Sequence, residues 1–251
     1  MHTAIRYLLF IGLSLHLTAA VSSAEETNEQ PLSIITIDLS SSLERSDTTF
    51  GAKGLIAQRI QNGTKACGIE AKIIFAPSWN RAYAMAMAGR VDAIVPTHKT
   101  AEREEIFDFA DFPLRETQMN IFTDKHLHPT QISGLEELDN KRVGILLGAM
   151  LEAKFDAYVR SGGPVKSEQN SYASLVENLS RHKLDYIAGS TPVIEQEIRN
   201  QGLAAEIEVV TPRLGVENVY LALSKNRKHY KDLTDKKINC LMRYNFLKTT
   251  E

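Results

Sequence analysis

In the first hundred residues, short continuous apolar runs alternate with a segment whose apolar residues recur at helical spacing. Leu32–Ile37 is rich in β-branched residues, which is typical of a buried strand. Gly54–Lys65 carries apolar residues at helical spacing, and Ala71–Ala76 is a second apolar run that ends at Pro77. This order of strand, helix and strand predicts an α/β domain with a largely parallel sheet.

A unit made of a serine-capped helix and a short strand occurs twice. Ser78 precedes one helix and Asp92 begins the strand after it; Ser171 and Asp185 hold the same positions in the second unit. A serine hydroxyl accepts a hydrogen bond from a free N–H at a helix N-terminus. One unit in each half predicts two similar lobes, and a chance likeness between two amphipathic segments is the alternative.

The rest of the second half has the same α/β character. The pattern predicts, in chain order, a short helix capped by Ser133, a strand at Arg142–Leu147, a helix to about Tyr158, strands at Glu206–Thr211 and Asn218–Leu223, and a helical tail within Lys228–Phe246. Crossings of the chain between the two lobes are expected near 117–124 and 211–217.

The N-terminus has the order of a secretory signal peptide. An apolar run from Tyr7 to about Leu17 follows Arg6, and small residues lead to Ala24. A membrane anchor is the alternative, but the run is shorter than the roughly 20 residues of a spanning helix. No cysteine lies near this boundary to carry a lipid. We therefore expect residues 1–24 to be removed, leaving a periplasmic protein without a lipid anchor.

Composition and charge narrow the possible functions. The formal net charge is -2 with acids and bases mixed along the chain, so nothing favours nucleic acid as a partner. The two cysteines, Cys67 and Cys240, have no Cys or His partner at metal-ligand spacing, and we expect no metal and no cofactor. After export they could form a disulfide, which requires the end of the chain to return to the first lobe; two buried thiols are the alternative.

Several motifs, taken in order, resemble one family of transport proteins. The bacterial family 3 extracellular solute-binding proteins, which mostly serve polar amino acid ABC transporters, are similar in Trp79-Asn-Arg81, Gly89–Ile94, Thr100-Ala-Glu-Arg103, Phe107–Asp111, Gly134–Ile145, Gly148 and the second repeat to Asp185. The resemblance implies a two-lobed type 2 periplasmic-binding-protein fold, in which each lobe has a mostly parallel sheet flanked by helices. Two hinge strands would join lobe 1 (25–119 and 216–251) to lobe 2 (120–215), with the ligand between them.

The resemblance assigns the central binding role to Arg103. This residue occupies the arginine of the family's Thr-x-x-Arg pattern, which holds the ligand's carboxylate. A planar guanidinium donates two parallel hydrogen bonds to a carboxylate and so supplies both charge and orientation. The alternative is a surface arginine paired with Glu102, Glu104 or Glu105.

Further residues of the first lobe correspond to the family's cleft lining. Thr97, His98 and Lys99 follow a strand, at the end where such sheets bind ligands. His98 and Lys99 are larger and more basic than the family's usual Gly or Ser, which favours an acidic ligand, although a solvated Lys99 is the alternative. Trp79 is expected to stack on the ligand or to fill the core. Asp38 is expected to face the cleft or to be an ordinary turn residue.

In the second lobe the chain departs from the amino-acid-binding pattern. Gly148, Ala149 and Met150 replace the usual Gly-Thr-Thr, and backbone amides at a helix N-terminus are expected to bind the ligand instead. The family's aspartate for the ligand's α-amino group falls on Ser190, whose neutral hydroxyl balances a buried ammonium poorly. We therefore expect a ligand other than a standard α-amino acid.

The sequence thus predicts a monomeric periplasmic binding protein that captures a small polar ligand, amino-acid-like or an organic acid, for an ABC permease or a sensor. One alternative is a sensory or accessory homologue that has lost its ligand. Another is an enzyme similar to the periplasmic cyclohexadienyl dehydratases, with His98, Lys99 and Glu102 as acid and base groups. Because the sequence contains no paired nucleophile and base, zinc motif or phosphate loop, we predict no enzymatic activity.

Overall fold

The computed structural model describes residues 30–228, 230 and 235–248, so the predicted signal peptide lies outside the described residues. The strands are β1 Leu32–Thr36, β2 Glu44–Arg45, β3 Ala52–Lys53, β4 Ala71–Phe75, β5 Ala93–His98, β6 Phe107–Phe109, β7 Arg115–Asp124, β8 Arg142–Leu146, β9 Val165–Gln169, β10 Tyr186–Ser190, β11 Ile207–Val209 and β12 Gly215–Ser224. The helices are α1 Leu55–Ala66, α2 Trp79–Met87, α3 Ala101–Glu104, α4 Ala153–Arg160, α5 Tyr172–Ser180, α6 Thr191–Asn200 and α7 Lys236–Met242.

A mixed sheet runs through the molecule in the order β4-β1-β5-β12-β7-β10-β8-β9. At one end β1 pairs in parallel with β4 and β5, and we name these three strands the first unit. At the other end β8 pairs in parallel with β9 and β10, and these form the second unit. Between them, the long strands β7 and β12 pair antiparallel with each other. The predicted α/β class is confirmed.

The two units begin their helices in the same way, as the repeated serine predicts. The Ser78 hydroxyl accepts a hydrogen bond from the Arg81 N–H (3.3 Å) at the start of α2. The Ser171 hydroxyl accepts one from the Ser174 N–H (3.1 Å) at the start of α5. Each hydroxyl satisfies a backbone donor that the first helical turn leaves without a partner.

The repeated aspartate also makes the same backbone hydrogen bonds in both units. The Asp92 carboxylate accepts from the Ser33 N–H at 2.9 Å, and the Asp185 carboxylate accepts from the Arg142 N–H at 2.7 Å. In return, the Asp92 N–H donates to the Ser33 carbonyl and the Asp185 N–H to that of Arg142. Each aspartate thus fixes the start of one parallel strand against its neighbour, which is a shared plan rather than a chance likeness.

The apolar side chains pack into two clusters. The smaller cluster covers one face of the second unit and consists of Met119, Ile121, Ile132, Leu138, Val143, Ile145, Leu151, Phe155, Tyr186, Ala188 and Val210. The larger one fills the first unit and continues to Leu175 and Val176 of α5 and Ile194 of α6. The two halves of the molecule therefore pack against each other through buried apolar side chains.

The end of the chain returns to the first unit. Cys67 follows α1 and Cys240 lies in α7, and their sulfur atoms form a disulfide with the Cα atoms 5.7 Å apart. Of the two possibilities that the sequence left open, a disulfide or two buried thiols, the structure therefore has the disulfide.

The predicted cap of one short helix was wrong. Leu135–Leu138 forms a single 3₁₀ turn whose N-cap is Gly134, and the Ser133 side chain does not cap it. Instead, the Ser133 N–H donates to the Glu137 carboxylate at 2.6 Å, so the charged side chain satisfies the backbone. Among residues 30–228, 230 and 235–248, no helix is long and apolar enough to cross a bilayer.

Candidate functional site

A cavity of about 60 Å³ lies between the two units, where the sheet passes from β5 through β12 to β7. The first half of the chain contributes Ile37, Leu39, Trp79, Pro96, His98 and Arg103; the long strands contribute Arg115, Thr117, Met119 and Val219; and the second unit with its helices contributes Leu146, Ala149, Met150, Tyr172, Ser190 and Val193. The lining is mostly apolar with a few convergent polar groups, which is the usual character of a small-molecule site.

Arg103 is held rigidly at this cavity. Its backbone N–H donates to the Thr100 hydroxyl (3.3 Å), which caps α3. Its Nη1 donates to the Thr97 hydroxyl (3.0 Å) and to the His98 carbonyl (3.2 Å), and its Cζ lies 5.5 Å from the Tyr83 ring centroid. The side chain is therefore positioned by neutral groups, and the residue is only 5% exposed.

The surface ion pair that was the alternative for Arg103 does not form. Glu104 pairs with Lys99 instead, at 3.0 Å between Nζ and Oε1. Burial lowers the pKa of Arg103, while Tyr83 and Glu102 act in the opposite direction. Because a guanidinium still remains protonated in proteins, Arg103 presents a buried positive charge to the cavity.

His98 lies beside this charge as a neutral ring. Burial, and then the charge of Arg103, lower the pKa of His98 to about 4, against a smaller raising effect from a backbone hydrogen bond with Asn218. The predicted basic residue therefore adds a polar, uncharged imidazole to the cavity at neutral pH.

Arg115, at the start of β7, is a second cation of the lining, and the sequence analysis did not select it. Its Nη1 donates to the Ser42 hydroxyl (2.9 Å) and its Nη2 to the Thr117 hydroxyl (3.1 Å). Burial, and then the charge of Arg59, lower the pKa of Arg115. In the part of the chain that the structure describes, this guanidinium forms no ion pair with a carboxylate.

Ser190 lines the cavity, but its hydroxyl already has a partner. Its Oγ lies 3.1 Å from the Oγ1 of Thr117. The Tyr172 hydroxyl accepts from the Ser190 N–H, and burial raises the pKa of Tyr172 to about 12. This side of the cavity therefore consists of neutral hydroxyl groups next to Arg115.

Trp79 and Tyr172 hold equivalent positions in the two units. Each is the first residue of its serine-capped helix, each is buried, and each lines the cavity from its own side. Only Trp79 was predicted from the sequence, although the repeated unit places Tyr172 at the matching position. Trp79 belongs to the larger apolar cluster and also lines the cavity, while its stacking on a ligand stays a prediction.

Three predicted residues of the first lobe lie outside the lining. Thr97 is fully buried and supports Arg103 from behind. Lys99 is exposed and pairs with Glu104, which agrees with the alternative of a solvated lysine. Asp38 is exposed, and its Oδ1 accepts from the Ser40 N–H (3.0 Å), the contact of an ordinary turn aspartate.

The predicted helix N-terminus does not offer its amides to a ligand. Ala149 and Met150 line the cavity, but α4 begins only at Ala153, and its first N–H groups donate to the Glu152 carboxylate. That carboxylate satisfies these two donors and is itself negative, which disfavours an anion at the start of α4. Gly148 lies outside the lining and faces Asn80 of α2, whose Oδ1 would clash with a Cβ at this position.

Buried polar atoms without a partner concentrate at the cavity. Among the described residues five buried side-chain atoms lack a hydrogen bond, and three belong to the lining: Trp79 Nε1, His98 Nδ1 and Arg115 Nε. Such atoms are uncommon in folded proteins and indicate a strained or ligand-binding position. Two of the three are N–H donors, so they suit a ligand rich in acceptor oxygens.

Metal chemistry has no donor set within the described ranges, since no group of three or more His, Cys, Asp or Glu side chains there is arranged to hold an ion.

No protein-family model matches the chain, and no curated protein matches it in sequence. Solved structures do match. The arginine-, lysine-, histidine-binding protein ArtJ from Geobacillus stearothermophilus has a TM-score of 0.67 at 17% identity, over 84% of this chain and 88% of that one. A histidine kinase sensor domain with similarity to periplasmic binding proteins gives 0.69 at 16%, over 85% and 89%. The GluR0 ligand-binding core from Nostoc punctiforme, in complex with L-glutamate, gives 0.65 at 21%, over 84% and 92%.

These likenesses establish the fold. The chain has the two-lobed type 2 periplasmic-binding-protein architecture, so the fold that the motif order predicts is confirmed.

Proposed function

We propose that the protein is a periplasmic solute-binding protein that closes two lobes on a small ligand bearing a carboxylate. The lobes would be 25–119 with 216–251, and 120–215, joined by hinges at β7 and β12. A ligand would favour closure because the cavity takes its lining from both sides of the crossing strands. The closed form would then present the surface that an inner-membrane ABC permease recognises.

The buried charge of Arg103 carries this proposal. A cation removed from water without an adjacent anion is costly, and the surrounding Thr97 hydroxyl and His98 carbonyl compensate only partly. A ligand carboxylate would supply the missing charge in a two-point hydrogen bond. The binding function of ArtJ and the glutamate complex of the GluR0 core support a solute-binding role on this architecture.

The enzyme alternative is less well supported by the arrangement. Of its three acid and base candidates, Lys99 and Glu102 lie outside the lining, and Lys99 pairs with Glu104. His98 reaches the cavity, yet one neutral imidazole without a paired acid or nucleophile suits ligand orientation better than proton transfer.

Thermal-shift screening followed by calorimetry tests the proposal. A panel of amino acids, monocarboxylates, dicarboxylates, amines and short peptides is screened first, because a ligand that binds only the folded chain raises its melting temperature. Product formation is assayed with the same panel. We expect carboxylates to stabilise the protein without being converted.

The variant Arg103→Ala should lower the affinity for the best carboxylate by about 100-fold or more, since it removes a charged bidentate partner. Arg103→Lys keeps the charge and should give an intermediate affinity. Arg45→Ala, which removes an exposed arginine outside the cavity, is the matched control. Unchanged affinity in both Arg103 variants would contradict the proposal.

A further inference from the structure

The cavity lining has two positive charges, a buried one at Arg103 and a half-buried one at Arg115, and no negative one. Arg103 and Arg115 both belong to the lining, while no Asp or Glu side chain of the described residues does. Glu102 and Asp156 influence the pKa of Arg103 but form no ion pair with it, and both oxygens of Asp156 receive the Leu151 N–H. No carboxylate of the described chain is identified as influencing the pKa of Arg115.

The register of the sheet places the two cations within reach of one molecule. Val219 of β12 pairs with His98 on one side and with Arg115 on the other, so the three residues form a row across neighbouring strands. Adjacent strands lie about 4.8 Å apart, which puts the backbones of His98 and Arg115 about 10 Å apart. Arg103 binds the carbonyl at the His98 end of this row.

The surface between the two ends is apolar. Val219 lies between the two cations in the row, and Met119, Ile37 and Leu39 also line the cavity, so the hydrocarbon part of a bound molecule would contact apolar side chains. At the Arg115 end, Nε lacks a partner although Nη1 and Nη2 are both used. Of the five N–H donors of this guanidinium only two are used by described residues, so that end offers further donors to an anion, and its neutral neighbours Thr117 and Ser190 offer no counter-charge to an ammonium group.

Resting on the proposed function, we propose that the ligand is a short dicarboxylate without an amino group, with one carboxylate on Arg103, the other on Arg115, and a hydrocarbon segment along Val219. Arg115 is then the residue that determines specificity. It distinguishes a dianion from a monocarboxylate, and it opposes an α-amino acid because its charge repels an ammonium.

Matched ligands test the assignment on the full mature protein by calorimetry. Succinate and glutarate are compared with butyrate and valerate, which lack the second carboxylate, and with L-glutamate, which adds an ammonium group. We expect each dicarboxylate to bind on the order of 10- to 100-fold more tightly than its monocarboxylate partner, the contribution of one charged hydrogen-bonded contact. L-Glutamate should bind more weakly than glutarate.

The variant Arg115→Gln should reduce the ratio of dicarboxylate to monocarboxylate affinity to about one, and Arg115→Lys should restore part of the preference. Arg45→Gln, with the same loss of charge outside the cavity, should keep the wild-type ratio. Circular dichroism at each step verifies that the variants are folded.

The possible failures are distinguishable. If monocarboxylates bind through Arg103 as well as dicarboxylates do, or if Arg115→Gln leaves the ratio unchanged, the dicarboxylate assignment is wrong and the proposed function stands. If L-glutamate binds more tightly than glutarate, the assignment is also wrong. If no carboxylate binds the wild-type protein, both proposals are overturned.

Discussion

At the scale of single residues, the site is determined by which side chains lose their contact with water. His98 ends β5 and Arg103 lies in α3, the next element of the chain, and burial lowers the pKa of both. The imidazole gives up its proton, because a neutral ring costs less to bury than a charged one, whereas the guanidinium cannot. A single fixed charge therefore remains at this end of the cavity over the neutral pH range.

The pKa of His98 gives the folded protein a predictable sensitivity to acid. Because the folded-state pKa of about 4 lies below the value of 6.5 in the unfolded chain, the unfolded chain takes up the proton first as the pH falls. The free energy of unfolding should therefore decrease between pH 6.5 and 4, with this residue contributing a loss of about 2 kcal/mol by pH 5. Urea unfolding at pH 7 and pH 5 measures the loss.

The variant His98→Gln is the control for that measurement, since it keeps a polar side chain and removes the titrating group. Its loss of stability between the two pH values should be smaller than that of the wild type by the same amount. An equal loss in both proteins would show that His98 titrates normally in the folded state.

The sequence could identify Arg103 because its motif is local, with Thr100 three residues earlier as the cap. Arg115 could not be found in this way. Its role depends on the register between β7 and β12, strands distant in the chain, which brings it beside Val219. Asp38 shows the reverse problem, because a turn aspartate and a cleft aspartate look alike until its contact with Ser40 is known.

At the scale of elements, the contact of Gly148 with α2 joins the two units beside the cavity. Its φ is +73°, and a Cβ there would meet the Asn80 side chain. Gly162 offers a matched comparison, since its φ is +87° but nothing lies within 4 Å of the position of a Cβ. The two positions share the backbone requirement for glycine and differ in whether another element lies against them.

Replacing either glycine by alanine should lower the free energy of unfolding by about 1–2 kcal/mol, the cost of a left-handed conformation for a residue with a side chain. Gly148→Ala should also weaken carboxylate binding, because its methyl group displaces the Asn80 side chain beside the cavity, whereas Gly162→Ala should not. Urea unfolding and calorimetry on both variants measure the two effects. Equal affinities in the two variants would show that the contact between Gly148 and Asn80 has no part in closure.

Elements with a strong local signal were predicted well. The apolar runs became β1, β4 and β8, and both serine-capped helices begin where expected. β9 was missed because its sequence, Val-Lys-Ser-Glu-Gln, is polar and partly exposed, so its pairing with β8 rather than its hydrophobicity makes it a strand. α6 was missed although Pro192 in its first turn is a typical signal of a helix start.

At the scale of the whole molecule, the arrangement of strands explains how one sheet can support two lobes. Each unit is a parallel sheet with its own capped helix, and the connections between them in the sheet are the antiparallel strands β7 and β12. The repeated unit and the order of the motifs correctly indicated two similar halves. How tightly they pack could not be predicted, because it depends on contacts between distant segments.

A crystal structure of the protein with its tightest-binding carboxylate would show directly whether Arg103 holds the ligand. The account predicts that the ligand lies between the two units with a carboxylate oxygen within hydrogen-bond distance of the Arg103 guanidinium, about 2.7–2.9 Å. A ligand bound on the outer surface, or bound in the cavity with its carboxylate directed away from Arg103, would contradict it.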